Sequence, residues 1–354
     1  MNLLKNNTET VADAGEDGIL DLVSNVFPVE LLKPAGVVIP TFYDDAAVLG
    51  SELIGQDEEL VITSDVLVEG ADFLLEWMSY FDLGYKSLMV NLSDIAAMGA
   101  KPLGMIVVVG LPDETPMMQL ESFLEGMKEV AVKHSVILLG GDLSESKMMF
   151  CNITVLGVVP KGTALQRGGA CENDVIAVTG YPGEARAGLM IALNKVSNVR
   201  SEERTLLNPF FRPVARIDAG LALREIGGVR GCLDLSDGIA RDAGRIAKRN
   251  NVRVEITAEN FPMTDKLRIF WESRGRNPYK EVASGGEDFE LMFCCDESRF
   301  DEVRNCVEKK TGLKVTRIGK VMKGDGAVLV MPDGTILDMR TWGFDHFEKS
   351  ESEK

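Results

Sequence analysis

An α+β fold of two α/β-type domains, the C-terminal one carrying a mixed sheet, is predicted by three features of this sequence. Its 354 residues suffice for two domains of ordinary size with substantial cores. Apolar runs of strand length are mixed with amphipathic segments of helical period, without the strict βα alternation of a doubly wound sheet. Pro160-Lys161-Gly162 interrupts the pattern and reads as a boundary. The expected organisation is a flexible N-terminus over 1–15, a first domain over 16–160, a second over 161–347 and a disordered tail over 348–354.

Within the first domain, EDGILDLVSNVF (16–27) places Ile19, Leu22, Val23 and Val26 on one helical face. YDDAAVLG leads two adjacent acids, Asp44 and Asp45, into a short strand, and ELVITSD (59–65) is a strand closing in Thr-Ser-Asp. Next comes KSLMVNLSDIAAMGAKP (86–102), a helix with one stripe of Leu88, Leu92 and Ile95 and a second of Ser87, Asn91 and Asp94, ended by Gly99 and Pro102. Asp94 is costly to bury on so apolar a helix unless a cation or hydrogen-bond donor meets it. Strands over 104–111, 135–142 and 151–159 and a helix over 117–134 complete this domain.

The second domain opens with a strand, DVIAVTG (174–180), that runs through a Gly-rich turn into a helix; another helix follows Pro213. GVRGCLDLSDGIARDAGRIAKRN then reads as strand, an acidic Ser-containing turn, and helix. SGGEDFELMFCC places Glu287 and Asp288 between a Gly-Gly turn and an apolar strand, and strands over 316–322 and 327–331 come last.

Composition narrows the function. The chain is 45% hydrophobic and 26% charged, as expected of a soluble globular protein, and its longest strongly apolar run is strand-sized rather than membrane-spanning. No apolar signal-peptide core occurs at the N-terminus, so a cytoplasmic protein is expected. With 38 basic against 55 acidic residues, a formal charge of −17, the surface repels nucleic acid. Six cysteines without a CxxC pair read as reduced packing residues, and two histidines make zinc or Ser-His-Asp chemistry poor expectations.

What remains is a repetition of acids at turns and strand ends: Asp44-Asp45, Asp65, Asp142, Asp234 with Asp237, and Glu287-Asp288. Carboxylates are hard ligands of the kind Mg²⁺ takes, together with substrate phosphates. The hydroxyls of Thr63, Ser64 and Ser236 sit beside them and are expected to complete metal shells. Gly140-Gly141-Asp142 and the turn through Gly180 to Gly183, the latter at a helix N-terminus, offer backbone amides to phosphate oxygens. Arg167 stands in a loop where it can pair with a phosphate, and no P-loop motif is present.

TSDVLVEG, KSLMVNLSDIAAMGAKP, GGDLSES, LDLSDGIARD, SGGEDFEL and WGFDHF together resemble thiamine-monophosphate kinase, of the superfamily of aminoimidazole ribonucleotide synthetase and selenophosphate synthetase. The motifs span roughly residues 44–347 in family order. The resemblance implies phosphorylation of thiamine monophosphate by ATP with several Mg²⁺ ions. It also implies a homodimer whose N-terminal sheets join in a barrel-like assembly, with ATP near that interface. Metal ligands would be Asp45, Thr63, Ser64, Asp65, Asp94, Asp142 and Asp234, with Asp237 holding a further ion. Gly141, Asp142, Arg167 and Ser236 would contact ATP, and Glu287 and Phe344 the thiamine phosphate.

Two positions depart from the family pattern. Tyr43 stands where a glycine usually precedes the two acids, and Asp72 replaces a substrate-contacting histidine, exchanging a hydrogen-bond donor for a negative acceptor. Asp72 therefore leaves open a different acceptor, another ATP-using reaction of the superfamily, or a nucleotide-binding protein without turnover.

Overall fold

The structure, a computed structural model, describes residues 10–27, 37–39, 48–49, 53–195 and 197–344; Tyr43, Asp44, Asp45 and the 348–354 tail lie outside them. The chain divides into two compact units, residues 1–95 with 100–163 and residues 96–99 with 164–354.

In the first unit, α1 (Val11–Val26) starts earlier than the expected residue 16, so the loose segment expected up to residue 15 is helical from Val11. The reason is a capping box: Thr10 Oγ1 accepts the Asp13 N–H at 3.2 Å, and the Asp13 carboxylate accepts the Thr10 N–H at 3.0 Å. β1 (Val37–Ile39) and β2 (Val48–Leu49) form a short antiparallel pair. The main sheet has the order β3 (Glu58–Val68), β6 (Phe150–Pro160), β4 (Lys101–Leu111), β5 (Ile137–Glu145), antiparallel except between β4 and β5. Two helices, α2 (Tyr80–Ala97) and α3 (Met117–His134), pack with main chain against main chain. A Cβ on Gly84 would lie 1.8 Å from the Phe123 carbonyl oxygen, and one on Gly126 would lie 2.0 Å from that of Phe81. Only glycine permits so close an approach at either position.

β3 continues past Asp65 because Val66, Leu67 and Val68 keep the strand alternation and pair with Asn152, Cys151 and Phe150. Along it, Leu60, Ile62, Ser64 and Val66 are exposed, whereas Thr63 and Asp65 are half-buried and Leu67 is buried. The period of two thus sorts neighbouring residues onto opposite faces.

The second unit is a seven-stranded mixed sheet. Its order is β13 (Ile336–Asp338), β12 (Gly326–Val330), β9 (Arg253–Thr257), β11 (Val315–Met322), β7 (Val175–Thr179), β10 (Leu291–Cys295), β8 (Val229–Asp234), with only β9 and β12 parallel. Around it lie α4 (Glu184–Ala192), α5 (Leu207–Phe211), α6 (Ile217–Ile226), α7 (Ile239–Asn250), α8 (Asp265–Glu272), α9 (Pro278–Ser284) and α10 (Phe300–Thr311). Ile176, Val178, Leu233, Val254 and Met292 meet Ile239, Ile246, Phe270 and Trp271 in one core, the last two rings edge-on at 4.8 Å. All six cysteines are free; burial lifts the Cys151 thiol to about 12 and raises those of Cys232 and Cys294 as well, which makes these three inert packing groups, whereas Cys171 is exposed and does not pack as expected.

Candidate active site

In the first unit Asn91 and Asp94 of the α2 stripe meet β3, while Ser87 lies against Cys151 of β6. Asn91 is anchored by donating from Nδ2 to the Ser87 carbonyl at 2.9 Å, and its Oδ1 accepts the Asp65 N–H at 2.9 Å. Among the described residues β3 is an edge strand, and the helix supplies a partner for its Asp65 N–H. One turn along, the Asp94 carboxylate accepts the Thr63 hydroxyl. Thr63, Asp65 and Asp94 are therefore gathered on one face. Burial first, then the charges of Asp94 and Asp72, push the Asp65 carboxyl up to about 6. Asp72 turns back on its own chain: its carboxylate accepts the Val68 N–H at 2.8 Å, and its N–H donates to the Val68 carbonyl at 2.9 Å.

Ser64 is placed differently. Its hydroxyl lies on the opposite face, 3.1 Å from Asn152 Nδ2 and 3.0 Å from Thr154 Oγ1, so the shell of neighbouring hydroxyls expected from Thr63 and Ser64 does not form. Asp142 is also apart from Asp65. It aligns across the sheet with Val108, Asn152 and Val66, the row facing away from Asp65, and sits on the far edge strand. Three strand spacings are about 14 Å. Both acids stand inside their strands rather than at the ends, a correction to the expected strand-terminal placement. Gly141 is a glycine because a Cβ there would meet the Val107 carbonyl oxygen at 2.2 Å. Among the described residues, no three His, Cys, Asp or Glu side chains are grouped to hold a metal ion; Asp45 lies outside those residues.

The second unit brings three motifs together. Asp234 ends the edge strand β8 and is buried. Glu287, at φ 66°, donates its N–H to the Ser236 carbonyl at 2.7 Å, and the Phe289 N–H meets the Leu235 carbonyl at 2.9 Å, so the GGEDFE loop is laced onto LDLSD. Phe344 donates its N–H to the Asp237 carbonyl at 3.2 Å while its ring stays half-exposed. The Asp237 carboxylate itself is paired with Arg245, with Arg241 Nε at 3.7 Å. Behind it, Asp242 is fully buried, bonded to Arg245 and to the Asp237 N–H; burial lifts its carboxyl to about 7 against the pull of Arg245.

One expectation is overturned here. The turn before α4 offers its amides to an acceptor, and the acceptor is the protein's own Asp288, whose carboxyl oxygens take the Gly183 N–H at 2.7 Å and the Ala185 N–H at 3.3 Å. Burial raises the Asp288 carboxyl well above its usual range, partly opposed by those two amides. Next to it Glu290 is spent on structure: Arg216 grips it with two nitrogens at 2.8 and 2.6 Å, and Thr179 donates to it at 2.6 Å.

Arg167 is exposed, on a loop that sequence patterns leave unanchored. Asn250, the last residue of α7, holds that loop: its Oδ1 accepts the Gly169 and Ala170 N–H groups at 2.7 and 3.1 Å, and its Nδ2 donates to the Arg167 carbonyl at 3.0 Å. A helix-terminal asparagine is the single available signal, and it is shared with ordinary caps.

Residues 43–159 match the family described as AIR synthase related protein, N-terminal domain, and residues 172–331 match its C-terminal domain. The thiamine-monophosphate kinase of Escherichia coli strain K12 is 34% identical over 305 residues, covering 86% of this chain and 90% of that protein. The chain belongs to the thiamine-monophosphate kinase family. A solved member, the thiamine-monophosphate kinase from Stenotrophomonas maltophilia K279a, superposes with a TM-score of 0.78 at 30% identity, over 88% of this chain and 96% of that one. A second structure, AaThiL complexed with AMPPCP and TMP, gives a TM-score of 0.72 at 27% identity, over 98% and 99% of the two chains. The thiamine-monophosphate kinase motifs LDLSDGIARD, SGGEDFEL and the start of WGFDHF are those that the second unit laces together.

Proposed function

We propose that this protein transfers the γ-phosphoryl group of ATP to the phosphate of thiamine monophosphate, yielding thiamine diphosphate and ADP by direct in-line displacement. The observation that carries the reading is the convergence of Ser236, Asp237, Glu287 and Phe344, far apart in sequence, in a chain 34% identical to a thiamine-monophosphate kinase. A related structure holds AMPPCP and TMP, a nucleotide and a phosphate-bearing acceptor of the required kinds.

The acceptor phosphate is already ionised, so no general base is required, and the chain's work is positioning and charge neutralisation. We assign Glu287 and Phe344 to the thiamine phosphate and Gly141, Arg167 and Ser236 to ATP. The donor set of Thr63, Asp65 and Asp94 suits Mg²⁺: all are hard oxygens, and a cation would offset both the burial of the Asp65 carboxyl and the charges of Asp94 and Asp72 beside it. Asp45, Asp234 and Asp237 are further proposed ligands, and Ser64 and Asp142, on the opposite face of the sheet from Asp65, are proposed to hold metal apart from that donor set. When bound, Mg²⁺ would neutralise phosphate charge.

A homodimer fits the first unit. Leu60, Ile62, Val66 and Ile106 form an exposed apolar sheet face, Ile62 being 63% exposed, and Asp142 shares that face. A second copy pairing sheet with sheet, in a barrel-like assembly, would cover it and would move Asp142 into other company than its own chain gives it. A cytoplasmic location accords with the six free thiols.

The test is incubation with ATP, Mg²⁺ and thiamine monophosphate, followed by separation of thiamine species and nucleotides. Thiamine diphosphate formed mole for mole with ADP supports the assignment. ADP formed only when a different phosphorylated acceptor is supplied would favour the second reading, which rests on Asp72 standing beside Asp65 in place of a histidine. Absence of nucleotide turnover with any acceptor would overturn both.

A further inference from the structure

Outside the family motifs, the second unit carries a cleft of about 520 Å³ whose lining includes Lys195, Arg200, Arg274 and Arg276. In a chain of formal charge −17 this is a local concentration of cations. One acid, Glu203, lies among them and is already committed. It is 1% exposed, accepts hydrogen bonds from Arg274 at 2.9 Å and Arg200 at 2.8 Å, and is held at about 2, chiefly by Arg274.

The guanidinium groups are preset. Arg274 stacks 4.0 Å from the Phe270 ring centre, and Arg276 lies 5.3 Å from that of Trp271 while giving only its Nε to Glu281, at 2.7 Å. Two cationic groups have capacity left over. Among the described residues Lys195 forms no ion pair and is exposed, and Arg276 commits only Nε, leaving both terminal nitrogens for a ligand, whereas Arg274 is held by Glu203 and by the Phe270, Ser197 and Asn198 carbonyls and serves to shape the wall. The cleft is lined by charged and polar side chains with no aromatic or aliphatic wall, so it does not suit a nucleobase or thiazole ring. Stacked, pre-oriented arginines recognise oxyanions through paired N–H donors.

We propose that this cleft binds the phosphate or pyrophosphate group of a small metabolite, as a site separate from the one assigned to catalysis. It lies at the C-terminal end of α4, whose other end is capped by Asp288; nine residues of helix separate the two by about 14 Å.

Inorganic pyrophosphate titrated into the metal-free protein in EDTA, followed by calorimetry, isolates the cleft, because the acids assigned to metal repel anions when no cation is present. Binding of one equivalent, weakening as salt rises, is expected. The double variant Lys195→Ala, Arg276→Ala should bind at least tenfold more weakly, and Lys195→Glu, at an exposed position, should show the same loss with an unchanged melting temperature. No binding by the wild type, or equal binding by Lys195→Glu, would overturn the proposal. Neither result depends on turnover, so the kinase reading stands or falls separately.

Discussion

The Asp288 carboxylate accepts the Gly183 N–H at 2.7 Å, closing the start of α4 with a residue more than a hundred positions away in sequence. It takes over donors that a helix N-terminus otherwise turns to solvent or ligand. Asp288→Ala should lower stability by about 1–2 kcal/mol, the usual cost of a lost N-cap, and Asp288→Asn by less. Urea denaturation of the three proteins measures this; equal midpoints would show the cap to be idle.

Thr63 donates its hydroxyl to the Asp94 carboxylate in the first unit. Thr63→Val keeps the side-chain shape and removes the hydroxyl. Divalent-metal affinity should fall by about 10–100-fold, the range for removing a ligand's hydrogen-bond partner. Asp94→Asn should abolish turnover in a folded protein. Calorimetric Mg²⁺ binding and circular dichroism check the pair, and near-normal activity of Asp94→Asn would remove the metal assignment.

Asp65 makes stability depend on pH in the metal-free protein. Its folded-state pKa, about 6, lies above the ordinary 3.8, so the folded chain holds the proton more tightly than the unfolded chain does. That contribution is complete below about pH 4 and is lost as pH rises through about 6. Asp65→Asn should flatten the fall in unfolding free energy between pH 4 and 7, measured by urea titration in EDTA. An unchanged slope would contradict the environment described for this carboxyl.

Asn250 should act on ATP through Arg167. Because it binds three main-chain groups of that loop, Asn250→Ala is expected to raise the KM for ATP several-fold with kcat nearly kept, the same change expected of Arg167→Ala. The double variant should cost little more than either single change, since both act on one contact. Full additivity would mean that Asn250 serves only the fold.

Much of this was legible in the chain. The helix Met117–His134 has the expected bounds, and Asn91 and Asp94 of the polar stripe meet Asp65 and Thr63 of β3. LDLSDGIARD is strand, turn and helix as its pattern indicates, the helix beginning at Ile239. Other parts were not. RVEIT, now β9, is short and takes its partners from β11 and β12, both far along the chain. Asp288 looks like a turn acid beside Glu287, and only the approach of α4 makes it a cap.

The sequence by itself determined the local elements, the acidic and phosphate-friendly character of the motifs, and the family. These depend on residue type and short-range periodicity, which a linear chain carries in full. Only the tertiary structure decided which acids stand together: Thr63 and Asp65 with Asp94, Ser64 and Asp142 on the other face, Asp237 against Arg245. Strand order and register join residues as far apart as Glu58 and Pro160 in this sheet, and one step of register moves a side chain from one face to the other.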